Sequence, residues 1–247
     1  MLKQQNPVKI DLEPNSIMSD NKLKLAWCSH EAAKYSVETW HYSKCLPIGK
    51  LVKVGVWEND KFIGCIIYSR GTAKDLGTKY GLLQSECVEL TRVALNKHIN
   101  PVSKILAISF KFLKKKSPTL KMIVSFAAKS EGHHGGIYQA TNWIYTGESA
   151  ANSDAIYKGR RIPNRTIGGI KLKYKMNEKQ LIDNGILTDI RRMTKHRYLM
   201  PLDKGVKDSI IHLSKKYPKR VTKANSSDQL ECGGAVPTYT LQSKNIP

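Results

Sequence analysis

The sequence predicts an α/β protein in which a mixed sheet carries helices on its faces, and three observations lead there. Residues 52–57 and 62–68 are β-rich runs flanking the short polar stretch Glu58-Asn59-Asp60-Lys61, the pattern of an antiparallel hairpin. The alternating run 87–95 is followed by Asn100-Pro101 and a segment of helical period reaching about Lys116. The short apolar run 122–127 then opens a strand, helix, strand succession, and reads as a strand covered on both faces. With 247 residues, 40% of them hydrophobic, the chain can bury a core, which excludes wholesale disorder and collagen-like or low-complexity classes.

Element by element, residues 1–20 form a polar arm containing Pro7 and Pro14, and residues 23–28 alternate as a strand. Ser29 caps a helix over 31–40, its hydroxyl being suited to a free first-turn N–H. After the hairpin and the 87–95 strand, Asn100 is the expected N-cap and Pro101 the first helical residue. Val102, Ile105, Leu106, Phe112 and Leu113 recur at helical spacing, Lys114 to Lys116 complement the dipole at the C-terminal end, and Ser117-Pro118 stops the helix. A short helix leads from the 132–140 glycine-rich loop into a strand at 143–146. A second hairpin is predicted around 156–162 and 167–175, helices over 178–183 and 206–217, and an extended tail from 225. The division is an arm at 1–20, a core at 21–150, a basic extension continuous with it at 151–223 and a tail at 224–247. A hairpin feeding a long strand and then a loop-to-helix turn is the layout of the GCN5-related N-acetyltransferase fold.

Charge points to partners. The chain has 41 Lys+Arg against 20 Asp+Glu, a net of +21, and residues 156–223 hold 19 of those cations with 5 acids. Such an excess drives nucleic-acid binding through counterion release; an acidic membrane surface, an acidic protein or a merely solvated face also fits. No apolar run is long enough to span a membrane and no signal-like segment opens the chain, so a soluble cytosolic protein is expected. The five cysteines, Cys28, Cys45, Cys65, Cys87 and Cys232, show no Cys-x-x-Cys pair and read as buried thiols.

Several groups of residues carry potential chemistry. Arg92 at a strand end, with Ser103 and Lys104 at the start of the next helix, outlines an anion site, since a helix N-terminus offers free N–H groups. The Gly-x-Gly loop usual for coenzyme A pyrophosphate is absent. His41 and Tyr42, in Trp40-His41-Tyr42-Ser43, bring general acid–base types to a helix end. Gly132-His133-His134-Gly135-Gly136 suggests backbone held close to something, although adjacent histidines rarely share one metal. Tyr138, Trp143 and Tyr145 lie beyond it, as core aromatics or as stacking surfaces for an unpaired base. Arg191, Arg192, Lys195 and Arg197 form a basic, aromatic-flanked run suited to phosphate.

Seven strings in order make a specific resemblance: His41-Tyr-Ser43, Gly55-Val-Trp-Glu58, Glu89 to Leu95, Asn100-Pro-Val-Ser-Lys-Ile-Leu106, Ser125-Phe-Ala127, Gly132 to Ala140 and Lys195-His-Arg-Tyr198. From about Leu23 to past Arg220 the chain resembles the Mom family of bacteriophage DNA-modification proteins. The resemblance implies an acetyltransferase-like enzyme of the host bacterial cytoplasm that converts adenine N6 in double-stranded DNA to N6-carbamoylmethyl adenine and shields that DNA from restriction. It implies roles for His41, Tyr42 and Tyr138 in chemistry and for Arg92 and Ser103 in the donor site, Arg191, Arg192, Lys195 and Arg197 being expected to hold the DNA backbone. The donor is acetyl-CoA or glycyl-tRNA, with iron a further family-level option. One departure is Ala128 where the family commonly has Asp; Glu131 is the nearest acid. The competing readings are an acetyltransferase of the same fold acting on RNA, protein or a small amine, and a non-enzymatic nucleic-acid-binding protein.

Overall fold

A computed structural model describes residues 17–19, 22–47, 49–70 and 76–220. An antiparallel meander opens the fold: β1 (Ile17–Ser19), β2 (Leu23–Trp27), β3 (Leu51–Glu58) and β4 (Lys61–Ser69), with α1 (His30–Trp40) between β2 and β3. The chain continues through β5 (Cys87–Leu95), α2 (Val102–Lys116), β6 (Met122–Ala128), α3 (Gly136–Gln139) and β7 (Ile144–Glu148). The remaining elements are β8 (Asn152–Tyr157), β9 (Arg160–Pro163), α4 (Asn164–Tyr174), α5 (Glu178–Asp183), β10 (Thr188–Met193), β11 (Lys195–Pro201) and α6 (Lys204–Ile210). The main sheet has the order β1-β2-β3-β4-β5-β6-β11-β7, antiparallel except for β5 and β6, which run parallel with α2 as their crossover. This is the mixed α/β sheet expected from the sequence, with the β3–β4 hairpin feeding the long strand β5 and then α2.

Period-two alternation puts successive β4 residues on opposite faces. Ile66 and Tyr68 join α2 residues Ile105, Leu106 and Phe112 in the largest core, while Cys65 and Ile67 meet Ala33 and Val37 of α1 on the other side. Each fully buried Ile or Leu contributes about 1.5–3 kcal/mol of transfer free energy. The buried Tyr68 hydroxyl bonds Ser109 Oγ at 2.6 Å and fixes α2 on its face. Cys28, Cys65 and Cys87 are buried as expected; Cys45 is exposed, and Cys232 lies outside the described residues.

The parallel pair shapes the molecule's centre. Its register runs from Cys87↔Met122 to Leu90↔Ser125 and stops there. On the far side of β5, Ile67 pairs with Arg92 while Tyr68 pairs with Leu90, so Thr91 is an extra, bulged residue, and its hydroxyl donates to the Ile67 carbonyl at 3.0 Å. A bulge bends its strand. β6 stays paired with β11 from Met122↔Pro201 to Ala128↔Lys195. It is therefore β5 that leans away, and the two strands part as a V.

β7 and β11 pair antiparallel, and the chain between them folds as a module with its own sheet, β10-β8-β9. Ala155, Ile167, Ile170, Leu181 and Leu187 form its core. Of residues 167–175, expected as a strand, those through Tyr174 belong to helix α4: Ile167, Ile170 and Tyr174 share one helical face toward that core. The 206–217 helix is shorter than expected. Asp203 caps it from Lys204, it ends at Ile210 followed by a 3-10 turn, and from Ser214 the chain runs beside β7, where Lys215 N–H donates to the Tyr145 carbonyl at 2.8 Å. β10 and β11 were not foreseen, and β11 lies inside the main sheet, so the sheet begun by residues 21–150 is completed only by residues 195–201. Of the N-terminal arm, residues 17–19 are strand; its other residues through 20, and the tail from 224, lie outside the described residues. No helix of the described residues is long and apolar enough to cross a membrane.

Asn100 is not the cap of α2. The helix starts from Pro101 without a side-chain cap, and Glu58 at the end of β3 takes the Asn100 side chain. The buried Glu58 carboxylate accepts from Ile99 N–H and Asn100 N–H at 2.7 Å each and from Asn100 Nδ2 at 2.8 Å. Burial raises its pKa, but these donors outweigh burial and hold it below the ordinary carboxylate value. Glu58→Gln replaces one accepting oxygen with a donor that faces N–H groups. It is expected to lower unfolding stability by about 2 kcal/mol, measured by urea denaturation at pH 7.

Candidate active site

Where β5 and β6 part there is a cavity of about 570 Å³. Trp40, His41 and Tyr42 reach it from the end of α1, Thr91 to Val93 from β5, Phe126 and Ala127 from β6, Gly132 to Tyr138 from the following loop, and Arg220 from the C-terminal segment. The bulge at Thr91 and the end of the ladder at Leu90↔Ser125 are its origin: beyond them the facing edges of β5 and β6 no longer bond one another.

His41 is 8% exposed, and its Nδ1 accepts the Ser43 backbone N–H at 3.1 Å with Ser43 Oγ at 2.8 Å. Because a backbone N–H can only donate, Nδ1 carries no proton and the neutral ring holds its proton on Nε2. Burial, then the Arg92 guanidinium, with His133 and Lys44 adding to it, push its pKa down to about 4. His41 is thus a neutral hydrogen-bond donor at pH 7, with Nδ1 unavailable as the base that its residue type suggested. Tyr42 stacks obliquely on His41 at 4.3 Å between ring centroids, meets His133 edge-on at 4.9 Å and is still 50% exposed. Burial raises its phenol pKa, Glu131 adds to this and Arg92 opposes it.

Arg92 gives Nη1 to the Thr91 carbonyl at 2.8 Å and Nη2 to the Cys45 carbonyl at 3.4 Å. Its Nε is buried without a partner, and no carboxylate pairs with Arg92 among the described residues. An unneutralised guanidinium at a cavity wall is a site for an anionic group.

The paired-histidine loop is clamped from beneath. The Tyr198 hydroxyl donates to the His134 carbonyl, and Gln139 Nε2 reaches the same carbonyl at 3.1 Å, Tyr198 Oη at 3.2 Å and the Pro218 carbonyl at 3.1 Å. Gly135 has φ +85°, and a Cβ there would stand 2.4 Å from the Tyr198 ring. The two histidines thus sit on a backbone held close to a tyrosine, which is what the glycines permit.

Tyr138 lines the cavity from its floor. Its hydroxyl is 2.8 Å from Ser125 Oγ, which is also 2.7 Å from the Leu90 carbonyl. A carbonyl only accepts, so the single serine proton goes to Leu90 and the tyrosine proton to Ser125. Burial pushes Tyr138 up to about 12. Its ring packs between Trp143 and Tyr198 at 5.0 Å each, while Tyr145 is buried with its hydroxyl 3.0 Å from His196 Nδ1. Tyr138, Trp143 and Tyr145 are therefore core aromatics, whereas Tyr42 at the cavity keeps half its surface exposed.

Other expected residues stand apart from the cavity. Ser103 and Lys104 begin α2 outside its lining, with Lys104 Nζ donating to Asn100 Oδ1 at 3.1 Å. Arg191 and Arg192 are on β10 in the inserted module, Lys195 is exposed at the start of β11, and Arg197 is half-buried on β11. Ala128, at the end of β6, is buried opposite Lys195, and Glu131 is exposed outside the cavity lining. Among the described residues no three metal-ligating side chains converge, so the residues present do not fit a bound iron. Sequence reading missed Ser125, Arg220 and the Tyr198–Gln139 clamp; only Gly135 signalled the last.

Two outcomes follow from this geometry. Gly135→Ala brings a strained φ and a ring clash together and is expected to cost about 2–3 kcal/mol, read from the urea midpoint. For His41, the unfolded chain binds the proton more readily than the native state, so stability is retained above pH 6.5 and falls as pH drops from there through about 4. His41→Gln should lose measurably less stability than the parent between pH 7 and pH 4.5 in paired denaturation curves, by about 1–2 kcal/mol.

No curated protein matches the chain. Among solved structures it is similar to a "putative acetyltransferase" from Sphaerobacter thermophilus, at 9% identity and TM-score 0.35, covering 77% of this chain and 99% of that one. It is also similar to one of the "probable acetyltransferases (GNAT family)" from Chromobacterium violaceum, at 10% identity and TM-score 0.40, covering 84% and 98%. Residues 22–219 match the Mom protein family, a span that holds both parting strands, the clamped loop and the inserted module, and the chain belongs to that family.

Proposed function

We propose that this protein is a transferase that converts adenine N6 in double-stranded DNA to N6-carbamoylmethyl adenine, protecting phage DNA from restriction in the bacterial cytoplasm. The observation that carries the reading is the cavity at the strand splay, where the Arg92 guanidinium, with no acidic partner among the described residues, lines the wall together with the half-exposed Tyr42 ring and a neutral His41. Membership of the Mom family supports it.

Adenine N6 inside a duplex is out of reach of a walled cavity, so the base must leave the stack at a cost of roughly a few kcal/mol. Tyr42 offers the ring face that offsets this loss, and His133 braces that ring from its edge. Arg191, Arg192, Lys195 and Arg197 hold the phosphate backbone while the base is out. His41, with its proton on Nε2, donates to a carbonyl or developing anion.

Plain acetyl transfer joins N6 to a carbonyl, whereas the product joins N6 to a methylene bearing an amide. An activated glycine supplies all the atoms, two carbons and a nitrogen, but its acyl transfer also joins N6 to the carbonyl as tRNA leaves. An isomerisation that moves N6 to the methylene and the amine nitrogen to the carbonyl must follow; an acetyl group would need in addition a nitrogen donor and a two-electron oxidant. Acetyl-CoA and glycyl-tRNA both present phosphates. Arg92 suits either, and the unbonded β5 and β6 edges suit an extended, amide-bearing chain. When bound, the donor supplies the activated carbon; the protein orients it and excludes water.

Mass spectrometry of nucleosides from DNA of expressing cells tests the proposal. A deoxyadenosine heavier by an acetamide substituent is expected with the parent chain. Arg92→Ala should lower that product about tenfold or more, with duplex affinity unchanged within about twofold. Unmodified deoxyadenosine alongside acetyl-CoA binding would transfer the assignment to an acetyltransferase acting on RNA, protein or a small amine.

A further inference from the structure

A second cavity, of about 450 Å³, opens over β7 and β11. Lys79, Arg197, His212 and Lys215 line it together with the hydroxyls of Tyr80, Thr146 and Ser214, and no acid is among the lining residues. Four basic side chains converge without a counter-charge, and no ion pair to any of them occurs among the described residues.

The cations are set in place by the fold. Arg197 Nε donates to the buried Thr146 Oγ1 at 2.9 Å, which aligns the guanidinium; among the described residues neither terminal amino group has a hydrogen-bond partner. Lys79 Nζ lies 4.9 Å from the Tyr80 ring centroid. Lys215 lies against Gly147, where a Cβ would come within 3.1 Å of its Nζ. Tyr80 Oη is buried beside Thr146 without a hydrogen bond of good geometry. A buried hydroxyl without a well-formed hydrogen bond and mutually repelling cations both disfavour the empty site, and an oxyanion relieves both. Burial first and Arg197 second hold the Lys79 pKa below its ordinary value, in keeping with that repulsion.

The geometry points to a phosphate-binding site here: a forked guanidinium for two oxygens, a phenol for a third, and lysines at the mouth. The occupant is a phosphoryl group, from a nucleic-acid backbone or from free phosphate. Position favours the backbone, because Arg197 pairs in register with Phe126, a wall of the first cavity. Two strand spacings separate the cavities, about 10 Å, which one strand of a duplex covers in about three base steps. The site stands whether or not the first cavity modifies adenine.

Thermal unfolding with added inorganic phosphate, at constant ionic strength made up with chloride, is the test. The parent chain should gain stability with phosphate. Lys79→Gln and Tyr80→Phe should raise the half-saturating phosphate concentration about three- to tenfold, and Arg197→Gln should abolish the response. Lys79→Gln and Tyr80→Phe carry the result should Arg197→Gln fail to fold. Titration of a 20-base-pair duplex across a range of NaCl concentrations then identifies the source. A log–log salt slope flatter by about 0.9 in Lys79→Gln assigns the phosphate to the nucleic-acid backbone. An unchanged slope with a lost phosphate response assigns it to free phosphate. The same phosphate response in parent and variants, or none in the parent, overturns the site.

Discussion

The parting of β5 from β6 is the constraint on which the rest of this molecule depends. One extra residue, Thr91, lets β4 keep its register with β5 while β5 turns away, and β11 holds β6 in the sheet. Two parallel strands that separate inside a sheet leave backbone edges that water, a ligand or other chain segments must satisfy. Ser125 closes the apex by bonding the Leu90 carbonyl, and Tyr138 completes the relay beneath it. The aromatic floor of Tyr138, Trp143, Tyr145 and Tyr198 then supports a cavity instead of a packed core.

Electrostatic imbalance is the second organising feature. The described residues contain three ion pairs, Lys34–Glu38, Lys121–Glu86 and Lys129–Glu148, none of which touches either cavity. Both cavities instead present guanidinium groups whose protein partners are neutral oxygens, Thr91 and Cys45 carbonyls for Arg92 and the Thr146 hydroxyl for Arg197. Neutral acceptors orient an arginine without discharging it, so its charge remains available to an incoming anion. Burial first, and the same positive field second, disfavour protonation of His41, which leaves it neutral beside the cavity.

The inserted module and the C-terminal segment show how the basic residues are divided between parts of the fold. Residues 152–193 enclose a small core of their own, placing Arg191 and Arg192 on a separate three-stranded sheet. Lys195 and Arg197 belong to the main sheet instead, one strand from the first cavity. Beyond α6, Lys215 bonds the Tyr145 carbonyl, Tyr217 the Trp143 carbonyl and Gln139 the Pro218 carbonyl, bringing Arg220 to the cavity wall.

Strong local signals were legible in the sequence. Alternation in 52–57, 62–68 and 87–95, the Ser29 cap and the periodic apolar face of α2 identified the elements and hence the mixed sheet, because short-range sterics and burial period determine them. His41, Tyr42, Arg92 and the 132–136 loop, singled out in the sequence by their residue types, all line the first cavity. What only the tertiary structure decided was pairing at long range. Charged β10 and β11 are strands because partners from β8, β6 and β7 complete their ladders, and α4 is a helix because one face covers the Ala155 core. Asn100 looked like a cap until Glu58, 42 residues earlier, took its donors. Tyr138 and Tyr145 looked available until neighbours distant in sequence enclosed them. Residue type and period are local properties of a chain, whereas burial, hydrogen-bond partner and charge balance are set by whichever segments the sheet brings together.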